Sequence, residues 1–346
     1  ARKIVAALLI LTPGVLAAWG ESVVFAYVFA VMMLYGLCRV IAETAFYPWI
    51  QEFVPDRVRG QYMAVCNIAG TLAGILAVAW SSYMLGSGMG IGRFQVVIAV
   101  GCALGLVGIV LKFPIPGGAP LAKRTDQRTH FSQMRQAVRD RGFRRFLFGL
   151  GVLALATGGW AAFVPLYLKE AIGLDAGAVV GLHNWTLIGM LVSSYAWGYS
   201  ADRKGSKPVL MAALLLVVLL PLGWMALPRH AADSALYAGV MALLSGVGMM
   251  GYSISNERLL FVSAVPPEKK TEYMAVFYTF TQILMALSPF LAGRVLAAAT
   301  GWGGRAYGFK FDQYTPFFVG SLFLVLVGIW IFSGVSERDR LPGDTP

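Results

Sequence analysis

Ten stretches of this chain are each long enough to cross a membrane and are scarcely interrupted by charge, which removes most folds from consideration. A helix needs roughly 20 predominantly apolar residues to span about 30 Å of hydrocarbon. Such stretches fall near residues 4–20, 23–48, 61–84, 93–113, 146–168, 177–200, 208–227, 235–262, 272–298 and 315–335. In lipid every backbone N–H and C=O needs a partner within the protein, so stretches of this kind form helices. Composition agrees, because 58% hydrophobic and 13% charged residues are too apolar a mixture for a surface that faces water. The expected fold class is therefore an all-α integral membrane protein. Pro13, Pro165, Pro221 and Pro289 lie within spans, which membrane helices tolerate where neighbours recover the freed carbonyls.

The chain also repeats. Val54-Pro55 followed by Tyr62-Met63-Ala64-Val65 recurs 211 positions later as Val265-Pro266 followed by Tyr273-Met274-Ala275-Val276. Each copy follows a long apolar span, carries charge in its turn and opens another span, as expected of a transporter built from two related halves. The one long connection, 114–145, begins rich in Pro and Gly and then turns basic, with Lys123, Arg124, Arg128, Arg135, Arg139, Arg141, Arg144 and Arg145. It separates a first half, 1–113, with four spans from a second, 146–346, with six. Residues from about 131 to 141 are expected to form a short helix at headgroup level, with a solvated basic loop as the alternative.

Most of the 28 Lys and Arg residues fall in this linker and in every second turn. By the positive-inside rule this puts both termini in the cytoplasm of a multi-pass plasma-membrane protein. The net charge of +11 then reflects topology and contact with anionic lipid on the cytoplasmic side. Dispersed over short turns, it does not make a nucleic-acid surface. Cys38, Cys66 and Cys102 lie inside spans without ligand spacing, so packing is expected of them and neither disulfide nor metal. The chain lacks a phosphate-cradling glycine loop, a His and Cys ligand cluster, and a nucleophile beside a base. Neither an enzyme nor a cofactor is expected.

One turn is more specific. Gly198-Tyr199-Ser200-Ala201-Asp202-Arg203-Lys204-Gly205-Ser206-Lys207-Pro208 fits GxxxDRxGxKP and resembles the signature loop of the major facilitator superfamily. On physical grounds Gly198 is expected to let helices approach and Gly205 to allow a tight turn. Asp202 is expected to face the positive end of a neighbouring helix. The resemblance covers essentially the whole chain and implies two six-helix halves that rock about a central cavity. In that family the loop follows the second and eighth helices. The chain then begins at the third helix, with about two helices, or roughly 60 to 70 residues, expected upstream of Ala1. A genuine ten-helix protein is the alternative. Family pseudo-symmetry also implies that Asp202 lies within reach of Arg59 and the helix starting at Gly60.

The resemblance makes 23–48, 146–168 and 235–262 cavity-lining helices. On the first, Tyr35, Arg39 and Glu43 recur at spacing four and share a face. A charge at midspan costs on the order of 2.5 to 3.5 kcal/mol, so two on one face imply a wet cavity or a partner. Arg39 suits a substrate carboxylate or phosphate, and Glu43 suits a coupling proton. A structural ion pair is the alternative. On 235–262, Tyr252 and Asn256 form a polar stripe suited to a zwitterionic or hydroxylated solute, while Arg258 is expected to snorkel to the headgroups. Trp160 stands on an aromatic face of 146–168 that suits either binding or packing.

The expected function is secondary transport of a small organic solute coupled to H+ or Na+. A drug or metabolite exchanger is a second reading, although Ala69-Gly70-Thr71-Leu72-Ala73-Gly74 departs from the Gly-Pro pattern of drug antiporters. A transporter-like sensor or scaffold is the third.

Overall fold

The structure, a computed structural model, describes residues 2–53, 56–86, 90–115, 135–260, 270–306 and 309–335. The side chains of 40, 43–53, 56–64, 67, 270–272, 305, 306, 309 and 310 lie outside that description. The chain divides into two compact units, residues 1–123 and 124–346.

The first unit contains α1 (Arg2–Ala7), a 3-10 turn (Leu8–Leu11), α2 (Thr12–Phe53), α3 (Asp56–Gly86) and α4 (Ile91–Val110). The first two expected spans are joined at Gly20, whose φ of 78° and ψ of 177° interrupt the helix. Ten apolar segments are thereby carried on nine long helices among the described residues. The 3-10 turn has a sequence cause. Pro13 has no N–H to offer the carbonyl of Leu9, and the Thr12 hydroxyl donates to that carbonyl instead, at 2.7 Å. Tyr27 and Gln95 likewise donate to the carbonyls of Leu8 (2.6 Å) and Ile10 (2.7 Å). Cys102 is buried and Cys66 exposed, so interior packing describes Cys102 but not Cys66.

The second unit holds the main core. It contains α5 (135–139), α6 (Arg141–Thr157), α7 (Trp160–Tyr167) with a π turn (Leu168–Ile172), α8 (Ala176–Lys204) and α9 (Ser206–Met225). α10 (Ser234–Leu259), α11 (Lys270–Ala298), β1 (Gly304–Ala306), β2 (Phe309–Phe311) and α12 (Thr315–Ser333) follow. The antiparallel β1–β2 ribbon is a small addition to the all-α expectation, confined to the α11–α12 connection. Of the expected surface helix, residues 135–139 are described and are helical, and Ala137 is fully buried in this unit's core.

Glycine sets the tightest packing. A methyl group on Gly189 would lie 2.2 Å from the Leu243 carbonyl oxygen, and one on Gly246 would lie 2.1 Å from that of Thr186. Both distances are far inside contact, so α8 and α10 meet backbone to backbone. Gly198 has no atom within 4 Å of its missing side chain. The close approach expected there is made further up the same helix.

The span 146–168 is broken in the middle. α6 ends at Thr157, Gly158 and Gly159 turn, and α7 restarts at Trp160. Breaking a helix exposes its last carbonyls, and two distant hydroxyls donate to them. Ser288 of α11 bonds the Leu155 carbonyl at 2.9 Å, and Ser321 of α12 bonds that of Ala156 at 2.7 Å.

Candidate transport site and its signature loop

The signature loop sits at one end of the second unit, where α8 turns into α9. Gly205 adopts φ 87°, a left-handed conformation that favours glycine, so the tight turn has its expected cause. Asp202 pairs with an arginine: Arg258 of α10 donates to its carboxylate at 2.5 Å. Asp202 remains 78% exposed and Arg258 32%. The expectation that Arg258 snorkels to headgroups is thus replaced by a cross-helix ion pair. Arg203 places its guanidinium 4.6 Å from the centre of the Tyr199 ring, a cation–π contact. Lys207 donates to the Ser333 carbonyl at 2.8 Å, and Arg145 packs against Gly334. Both cations therefore stand at the C-terminal, electronegative end of α12.

The same end anchors the linker. Asp140 accepts from the backbone N–H of Gly142 (2.9 Å) and Phe143 (3.1 Å) as the N-cap of α6. Its second oxygen accepts from the Tyr273 hydroxyl at 3.2 Å. Tyr273 opens the second copy of the repeated motif, so that repeat ties α11 to the start of α6.

Above the loop, α10 carries Tyr252, half-buried, and Asn256, 8% exposed. The carboxamide oxygen of Asn256 is buried without a hydrogen-bond partner among the described residues, as is the hydroxyl of the neighbouring Ser255. Orphaned acceptors of this kind cost roughly 1 to 3 kcal/mol each. They stand in contrast to Trp160, whose indole donates to Ser321 at 2.8 Å within the core. Tyr167 on the same face donates to the Trp224 carbonyl at 2.9 Å. Those two aromatics hold the second unit together.

Tyr35 and Arg39 lie one turn apart on α2, with Tyr35 half-buried and Arg39 exposed in the first unit. The side chains of Glu43 and Arg59 lie outside the described residues, as does the first Val-Pro-to-Tyr motif up to Ala64 and all of Val265-Pro266. The expected Arg59–Asp202 contact therefore has no described geometry.

The profile of the Major Facilitator Superfamily matches residues 2–289. This chain is a member of that superfamily. Among known members, the ectoine/proline transporter ProP of Corynebacterium glutamicum is 25% identical over 194 residues. That match covers 50% of this chain and 38% of the relative, so the chain spans well under half of that protein's length. A bacterial homologue of the iron transporter ferroportin, in its inward-facing state, superimposes with a TM-score of 0.70 over 97% of this chain and 81% of its own, at 15% identity. The nucleoside transporter NupG superimposes with a TM-score of 0.66 over 98% of this chain and 84% of its own, also at 15% identity. These likenesses identify the superfamily fold.

Two features of this superfamily member escaped sequence reasoning. Arg258 sits within a span, and nothing in sequence spacing points from it to Asp202. The cluster at the opposite end, formed by Glu170, Arg229, Asp312 and Tyr314, did leave a signal. Asp312 followed by Thr315-Pro316 is the start signature of a helix. Asp312 closes the turn that leads into α12, accepting from the N–H of Tyr314 (2.9 Å) and Thr315 (3.1 Å).

Proposed function

We propose that this chain is a secondary active transporter that moves a small zwitterionic or anionic organic solute across the plasma membrane by alternating access, coupled to H+ or Na+. The observation that carries the reading is the buried oxygen of Asn256 on α10, which has no partner among the described residues, two residues from the Arg258 that pairs with the signature loop. An acceptor left unsatisfied in one state is suited to receive a donor from solute, water or another conformation. The exposed Asp202–Arg258 pair next to it suits a latch, because an ion pair in contact with water is exchanged at little cost. Both termini then face the cytoplasm.

Tyr35, Arg39 and Glu43 are the candidates on α2 of the first unit. Arg39 binds the solute's carboxylate, and Glu43 carries the coupling proton. The relative's named solutes, ectoine and proline, are both zwitterions and support this class.

The test is uptake of radiolabelled proline and other amino-acid-like zwitterions into proteoliposomes, with imposed proton or sodium gradients. Gradient-dependent accumulation is expected, lost in Arg39→Ala and Asn256→Leu while insertion stays normal. Saturable binding without flux under any gradient would sink the transport reading and favour a sensor.

A further inference from the structure

The end of the second unit opposite the signature loop contains a cavity of about 220 Å³, and none of the transport candidates lines it. Tyr167, Leu222, Met225 and Phe318 make its apolar walls, and Phe311 of the ribbon flanks it. One wall is polar, where Arg229 and Asp312 form an ion pair at 2.8 Å with side-chain exposures of 15% and 18%.

These walls are held in place. The Tyr167 hydroxyl is bonded to the Trp224 carbonyl, and its ring meets Phe318 edge-on at 5.1 Å. Asp312 is fixed by the backbone N–H groups of Tyr314 and Thr315 at the start of α12 and in turn fixes Arg229. Leu222 and Phe311, 47% and 39% exposed, stand at the mouth. The mouth lies at the last turn of α9 and the start of α12, which is the depth where hydrocarbon gives way to water. An apolar chamber with a positioned guanidinium at that depth matches a molecule with an alkyl body and an anionic head.

We propose that this cavity binds a short alkyl carboxylate arriving from water, its carboxylate on Arg229 and its chain along Leu222, Met225 and Phe318. The volume equals about seven waters at roughly 30 Å³ each, which is the scale of a short alkyl chain with its head group. Asp312 holds Arg229 in place but repels the ligand's charge. The site therefore makes a signed forecast: neutralising Asp312 tightens binding.

The experiment uses the full chain in nanodiscs of zwitterionic lipid, with hexanoate, hexanol and hexylamine as probes followed by saturation-transfer NMR and equilibrium dialysis. Saturable hexanoate binding is expected, weakened at least tenfold in Arg229→Gln and tightened several-fold in Asp312→Asn. Leu222→Trp, which fills the chamber from an exposed position without touching a charge, abolishes it. Hexanol binding as tightly as hexanoate overturns the proposal. So does hexylamine displacing hexanoate, or hexanoate binding unchanged in all three variants. Hexadecanoate placed in the bilayer is expected to leave hexanoate bound, and displacement by it would assign the chamber to lipid instead.

Discussion

At the signature-loop end of the second unit, the Asp202–Arg258 pair leaves its carboxylate 78% exposed; at the opposite end, Arg229 and Asp312 are 15% and 18% exposed. Both pairs join distant parts of the chain, so the difference lies in how much water each charge keeps. An ion pair in water contributes about 0 to 1 kcal/mol and exchanges partners freely. Removing one member of a half-buried pair strands the other, at a cost between that and the roughly 3 to 5 kcal/mol of a fully buried pair. Neighbours widen the contrast. Around Arg229 and Asp312 stand the turn into α12 and Tyr314, whose hydroxyl donates to Glu170 at 2.5 Å. Around Asp202, among the described residues, stand Arg258 and the aromatic contact of its neighbour Arg203. One end is built as a clamp, the other as a catch.

The strongest way to break this comparison is Arg229→Ala, which leaves the Asp312 charge without its partner. Thermal unfolding of the purified protein should register a loss of about 2 kcal/mol; a change below 1 kcal/mol would make the two ends equivalent. Next comes Tyr314→Phe, which removes the bond to Glu170 and should cost about 1.5 kcal/mol. Burial, followed by the bond to Glu170 and its charge, pushes the Tyr314 phenol above its ordinary value. Ionisation is then easier in the unfolded chain. The stabilisation is complete below about pH 10 and is lost as pH rises towards the folded value. An alkaline unfolding series should show that decline in the parent protein and a shallower one in Tyr314→Phe. Lys207→Met, at the catch end, removes a cation from the end of α12 and should cost about 0.5 to 1 kcal/mol by the same assay. Asp202→Asn should change stability least, by less than about 0.5 kcal/mol, while slowing solute uptake at least tenfold. Equal losses of stability and uptake would show that the pair is another clamp.

Fold class was legible because span length and the absence of charge are local properties. The signature loop was legible because Gly205 requires a particular backbone conformation, and the sequence states it outright. What did not show were contacts between helices far apart in the chain. Gly198 and Gly189 stand on the same helix, yet only Gly189 meets a neighbouring backbone, and nothing local distinguishes them. Arg258 was read for its distance from the helix end, whereas its role depends on Asp202, 56 positions earlier. Trp160 shows the opposite failure. A face of aromatics fits cavity or core equally well, and Ser321, 161 positions later, puts it in the core.

The broken span between α6 and α7 has a consequence for the order in which the molecule is built. The chain is made from its N-terminus, so Leu155 and Ala156 reach the bilayer well before Ser288 and Ser321 exist. Until then a break in the ladder at Gly158 would leave two carbonyls facing hydrocarbon with nothing to satisfy them, at several kcal/mol apiece. The newborn span is therefore most stable as one unbroken helix. The break is satisfied only when α11 and α12 dock and bring their hydroxyls. That break records completed assembly.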